Sequence, residues 1–324
     1  MIDLIIPAYN AEDTIGRALG SILAQTRPRK FVVTVVDDCS TDATAAIVKK
    51  FKGLLPINYI KLENNLGRPG LVRNVGIENT HCDYIMFLDA DDILDPMAAE
   101  IISRAVLQNR PDMIIGSFYK DNRSDNYKII STNSLTWLHG NAYSRNFLNE
   151  YNIRFDDNWN EDGSFNLRCG WLSNNKYCIE KPLSYWMDNR ESVTRKDKDF
   201  MFNIAEDYIE TYLNAIEDIL IKKSELSMLG EFQAVCAHKL AEFLQFYDTA
   251  IFRNGNDEEY IIKLYELINS YVNLLYKYDL INREVLLLTN QAFNSYNIFI
   301  DTVRQNTLIN YLSAFKIEWS DYVK

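Results

Sequence analysis

The sequence is poor in several things, and each shortage narrows the reading. Its five cysteines (Cys39, Cys82, Cys169, Cys178 and Cys236) are scattered and form no CxxC pair. They fit reduced thiols in a cytosolic setting better than a disulfide framework or a zinc site. Histidine occurs three times, at His81, His139 and His238. No apolar run approaches the ~20 residues that cross a bilayer, so no transmembrane segment is expected. Basic charge is in deficit: 34 Lys and Arg against 45 Asp and Glu give a net charge of -11. That weighs against broad binding to a nucleic-acid backbone but leaves room for a local basic groove. Walker A and GxGxxG loops are missing, which disfavours NTPases and dinucleotide enzymes. The loop Ala8-Tyr9-Asn10-Ala11 is also not the Gly-rich, Arg-bearing loop of a nucleotidyltransferase. There is no internal repeat and no low-complexity tract. The chain opens directly on a strand-like Asp3–Ile6, so no signal peptide is expected and the expected location is cytoplasmic.

What is present reads as a globular protein of about two domains: 324 residues, 47% hydrophobic and 24% charged. Apolar runs at Leu4–Ile6, Phe31–Val36, Asn58–Leu62 and Tyr84–Leu88 alternate with helical spacings at 15–23, 43–52 and 71–77. Alternating strands and helices predict a mostly parallel sheet with right-handed crossovers. Asn10 or Asp13 is expected to cap the first helix. Three strands end in polar loops, Pro7–Asn10, Asp37–Asp42 and Asp89–Asp92. On a parallel sheet these loops share one edge, where such sheets bind ligands. A further strand is expected at Asp112–Tyr119, a polar hairpin near Asp121–Asn126, a short strand at Tyr177–Ile179 and a loop over Tyr185–Thr194. From about Phe200 the apolar residues follow helical spacing, which predicts an all-α second domain. The expected division is 1–198 and 199–324.

Asp89 and Asp91 stand two apart at the end of a buried strand, so on extended backbone their side chains point the same way. Converging carboxylates repel unless a cation lies between them, and hard divalent ions take oxygen ligands. The competing reading is an acidic turn ahead of a helix, with Asp95-Pro96 as its cap and first residue.

The ordered motifs resemble family 2 glycosyltransferases of the GT-A fold. They are Ile6-Pro7-Ala8-Tyr9-Asn10, Val36–Asp42, Asn65-Leu66-Gly67 followed by Leu71–Gly76, Asp89-Ala90-Asp91, and Glu161-Asp162. His139-Gly140, Arg145–Phe147 and Arg154-Phe155 also follow the pattern, and the resemblance spans about Ile2 to Thr194. It implies a GT-A, Rossmann-like sheet flanked by helices, a nucleotide-sugar donor (a UDP-sugar), an inverting transfer and a divalent cation, Mn2+ or Mg2+. By resemblance the ion belongs on Asp91, with Asp89 reaching the ribose and, partly through water, the metal. Asp92 binds the sugar or caps the next helix. Asp38 reads the base and Asp37 holds the turn. Tyr9 stacks nearby, while Pro7 and Ala8 offer backbone groups. Arg73 is expected beside the base or diphosphate, against a plain surface arginine. Gly67 suits a positive φ.

The resemblance also makes Asp162 the base and Glu161 its orienting or acceptor-binding neighbour; the competing reading is an acid pair at a helix N-terminus. Arg190, Ser192 and Thr194 would close on the diphosphate. All three histidines are expected away from the metal, with His139 a loop or acceptor-pocket residue. The acceptor is expected to be a hydroxyl on a glycan or other biopolymer. Hydroxylated bases of viral DNA form an alternative acceptor, and a non-catalytic sugar-nucleotide or carbohydrate-binding protein forms an alternative class. The helical domain would serve acceptor binding or homo-oligomerisation.

Overall fold

A computed structural model describes residues 1–121, 127–130, 137–189, 199–223, 229–253, 257–282, 285–289 and 291. The chain divides into two compact units, Met1–Lys196 and Asp197–Lys324.

The first unit is built on β1 (Ile2–Ala8), β2 (Phe31–Asp37), β3 (Ile57–Lys61) and β4 (Tyr84–Phe87), ordered β3-β2-β1-β4 and all parallel. β1, β2 and β4 are uninterrupted apolar runs because both faces are covered; Leu4, Ile5, Ile6, Val33, Val35 and Met86 are fully buried. Helices α1 (Ile15–Leu23), α2 (Thr44–Phe51) and α3 (Pro69–Glu78) connect them, and α4 (Ala98–Asn109) follows. α3 starts two residues before the expected helix because Pro69 is a favourable first residue. It packs closely on β1: a Cβ on Gly76 would come within 2.4 Å of Ile5.

Beyond β4 the sheet becomes mixed. β8 (Ala142–Ser144) pairs antiparallel with both β4 and β6 (Met113–Asp121). β9 (Lys176–Trp186) runs parallel to β6 and carries the short β5 (Ile93–Leu94) antiparallel on its far side, while β7 (Tyr127–Ile130) pairs antiparallel with β6. β9 is eleven residues long, not the short strand expected at Tyr177–Ile179. It extends through Tyr185 and Trp186, which were expected in a loop. Register shifts near Ser117 accommodate Pro182, whose missing N–H hid the strand's continuity. α5 (Arg145–Glu150) and α6 (Glu161–Leu172) complete the unit.

The second unit contains α7 (Phe200–Asn203), α8 (Ala205–Lys222), α9 (Leu229–Arg253) and α10 (Glu258–Lys277). Ile209, Ile216, Phe232, Leu240, Phe243, Leu264 and Ile268 bury its core. Its tyrosines pack at the core edge: Tyr271 donates to the Cys236 carbonyl at 3.0 Å. No described helix is long and apolar enough to cross a membrane.

Candidate active site

The three polar loops meet at one edge of the parallel strands. Asn10 has φ 45, and its Oδ1 accepts the Thr41 N–H at 2.9 Å. Asn10 therefore ties two loops together and does not cap α1, whose preceding residue is Thr14. Its own N–H donates to Ser40 Oγ at 2.9 Å, and Ala11 N–H to Thr44 Oγ1 at 2.8 Å. Arg17, on α1, donates to the Asp91 carbonyl at 2.8 Å. This lattice fixes the loops relative to one another.

Asp37 is fully buried and holds its turn, accepting from Ser40 N–H and from the Tyr59 hydroxyl. Asp38 accepts from Leu66 N–H at 2.7 Å and Gly67 N–H at 3.2 Å. These bonds use the turn that Gly67 makes at φ 67. Pro7 and Ala8 end β1 next to this loop, and Tyr9 is 56% exposed at the same edge.

Arg73 is neither on the surface nor open toward solvent. Its side chain is 4% exposed and meets three carboxylates: Asp89 at 2.7 Å, Glu161 at 3.0 Å and Asp162 at 3.1 Å. The Arg73 face also lies over Phe155, 5.5 Å from the ring centroid. A buried cation among acids is the usual compensation for desolvating both. Glu161 and Asp162 occupy the first turn of α6, where the helix dipole favours negative charge. The helix-terminus reading and the acid-pair reading thus both describe the same two residues.

The charges in this cluster respond to burial first. Burial and the neighbouring Asp162 charge push the Glu161 carboxyl up to about 7, against the pull of Arg73. Burial raises Asp162 as well, with Arg73 opposing. Burial also acts against the charge of Asp89, but Arg73 and His139 outweigh it and hold that carboxyl below its ordinary range. Asp91 is raised by burial and by Asp89, and its Oδ2 accepts from Asn189 Nδ2 at 2.7 Å.

Asp92 caps no helix. It is fully buried, accepts Met187 N–H at 2.9 Å, and lies 2.9 Å from His139 Nε2. Burial raises its carboxyl to about 6 while His139 pulls it down; the same contact raises His139 against its own burial. His139 was expected away from the acids. The chain returns it there because the turn at Gly140, φ 76, sits tightly against Gly116 of β6. Asp89, Asp92 and His139 bring ligand-capable atoms within 4.8 Å of one another. Two carboxylates and an imidazole form a donor set that suits a divalent cation. Asp91 lies outside this grouping. Arg190, Ser192 and Thr194 lie outside the described residues.

A sequence profile described as "Glycosyl transferase family 2" matches residues 3–167. The chain belongs to glycosyl transferase family 2. The match takes in every site residue from Pro7 to Asp162 and leaves Met187 and Asn189 beyond it. This family 2 chain is 28% identical over 207 residues to the poly(ribitol-phosphate) beta-N-acetylglucosaminyltransferase TarS of Staphylococcus aureus (strain MW2), covering 58% of this chain and 35% of that protein. It is 28% identical over 244 residues to the poly(ribitol-phosphate) beta-glucosyltransferase of Bacillus spizizenii, covering 69% of this chain and 37% of that protein. It therefore spans little more than a third of either relative. The crystal structure of S. aureus TarS 1-349 in complex with UDP-GlcNAc superposes with TM-score 0.68 at 23% identity, over 98% of this chain and 88% of that one. That likeness establishes the shared GT-A fold.

Sequence reasoning named Asp89, Arg73, Glu161 and Asp162 but missed their joint contact, along with His139, Asn189 and Arg17. The phrase His139-Gly140 was the one available signal.

Proposed function

We propose that this chain transfers a sugar from a nucleotide-sugar donor, a UDP-sugar, to a hydroxyl on a glycan or polyol polymer, with inversion at the anomeric carbon. The observation that carries it is Arg73: one guanidinium holds Asp89 of the donor loop and the Glu161-Asp162 pair together. The two relatives named for poly(ribitol-phosphate) and the UDP-GlcNAc complex of TarS favour this donor and a polymeric acceptor.

In this reading Pro7, Ala8, Tyr9 and Asp38 receive the base, and Asp89 receives the ribose. Arg73 keeps the three acids in register. Asp162 takes the proton of the acceptor hydroxyl as that oxygen bonds to the anomeric carbon, while the bond from that carbon to the diphosphate oxygen breaks and the nucleoside diphosphate leaves. Raised carboxyl pKa values at Asp162 and Glu161 suit proton transfer near neutral pH. Asp89, Asp92 and His139, with Asp91 by family resemblance, would hold a divalent cation, Mn2+ or Mg2+, which compensates the charge on the leaving diphosphate.

The test is Asp162→Asn with a UDP-sugar and a polyol-phosphate acceptor. Transfer should fall by about 10²–10⁴-fold, the usual contribution of a general base, while donor binding by calorimetry persists. Transfer near the wild-type rate would remove Asp162 from the role.

A further inference from the structure

Next to the acid site, one face of the β6–β9 region carries a group of residues that the transfer step does not use. Phe118 is 2% exposed and forms its floor. Trp137 and Trp186 stand on it, with ring centroids 6.2 and 6.5 Å from Phe118 and 4.8 Å from each other. Unlike Phe118, both indoles remain half-buried. Trp186 lies 5.6 Å from His139, which contacts Asp92, so the indoles adjoin the acid site.

A second observation concerns charge. Lys120 Nζ lies 4.3 Å from the Trp186 centroid and 5.8 Å from that of Trp137. Lys128 is directly opposite Lys120 across the β6–β7 pair, and is exposed. Residues opposite each other project on the same face, and like charges there repel. In a chain of net charge -11, two cations placed together beside two indoles are a specific arrangement.

We propose that Trp137, Trp186, Lys120 and Lys128 form a subsite for the acceptor, and that the acceptor is a polyol or sugar chain joined by phosphodiesters. This rests on the transferase reading above and names its acceptor class. Indole faces supply broad apolar area for the C–H faces of a polyol or sugar while the ring N–H stays available for hydroxyls. A phosphodiester between the two ammonium groups relieves their mutual repulsion. Phosphate is favoured over carboxylate because lysines act as separate point charges, whereas planar carboxylates are matched by the arginine fork. A chain lying here leads its next unit past His139 toward Asp162.

The test uses the full chain and a ribitol-phosphate hexamer as probe. Tryptophan fluorescence should change saturably as the hexamer is added without donor, and the affinity should fall as salt rises. Lys128→Ala, on an exposed strand position, should weaken binding about tenfold, the scale of one charge-assisted hydrogen bond. Trp186→Phe should remove much of the fluorescence change. UDP-sugar binding, and slow donor hydrolysis without acceptor, should be unchanged in Lys128→Ala. An unaltered hexamer affinity in Lys128→Ala overturns the subsite. Equal affinity for neutral maltohexaose overturns the phosphodiester assignment, as does equal affinity for hexagalacturonate. The transferase reading is judged separately by donor turnover in the wild-type chain. Failure there, with lysine-dependent hexamer binding intact, sinks that reading and leaves the binding surface standing.

Discussion

At the scale of single residues, the site consists of charges that burial would expel if they were not shared. Arg73 can be 4% exposed because three carboxylates surround it, and they tolerate each other because it lies between them. Glu161 carries the clearest consequence. Its carboxyl moves from 4.5 to about 7 in the folded chain, so the folded state keeps a proton that the unfolded chain has already lost. The stabilisation from that proton is complete below 4.5 and disappears as pH climbs through 7. Glu161→Gln cannot lose a proton, so its stability relative to wild type should improve between pH 5 and pH 8, by on the order of 1–3 kcal/mol. Urea unfolding of both proteins at the two pH values measures this; a pH-independent difference would show that Glu161 stays ionised throughout. The residue types were readable in the sequence, but their partners were not. Arg73 meets acids 16, 88 and 89 positions away, and no local pattern encodes such a meeting.

At the scale of elements, the parallel half of the sheet was legible because β1, β2 and β4 are unbroken apolar runs that stop at polar loops. The antiparallel half was not. β8 is three residues long, and β9 contains Pro182 and register shifts, so neither shows a clean strand pattern. What positions His139 is a backbone contact that needs glycine on both sides: a Cβ on Gly116 would come 2.3 Å from the Gly140 carbonyl oxygen and 2.7 Å from Leu183. Gly116→Ala should therefore force β6 and the 139–140 turn apart, costing about 1–3 kcal/mol as overpacking does and loosening the His139–Asp92 contact. Gly20 is the internal control, because it lies inside α1 with nothing within 4 Å of an added Cβ. There alanine should stabilise by about 0.5–1 kcal/mol through helix propensity. Denaturant midpoints of the two variants should move in opposite directions. A Gly116→Ala midpoint equal to wild type would mean the turn yields at no cost, and the glycine pair would lose its positioning role.

At the scale of the molecule, the change of character near Phe200 was visible because helical spacing replaces strand-ended loops, and two compact units divide at Lys196 and Asp197. Each has its own buried core, around Ile5, Val35 and Met86 in one and around Ile216, Phe243 and Ile268 in the other. The first unit also holds every described residue assigned to the donor, and its size is that of an ordinary independent domain. Residues 1–198 made alone should consequently unfold in one cooperative transition and still bind donor. A ligand present at 100 times its dissociation constant adds about 2.7 kcal/mol to the folded state. For a domain of this size each kcal/mol raises the midpoint by about 2–4 °C, so saturating UDP-sugar with Mn2+ should raise it by roughly 5–10 °C. Asp89→Ala in the same fragment should abolish the shift, which separates donor binding from non-specific stabilisation by the ion. A full-length chain that shifts while the 1–198 fragment melts without cooperativity would place the functional boundary elsewhere. It would also make the helical unit part of what keeps the donor site folded.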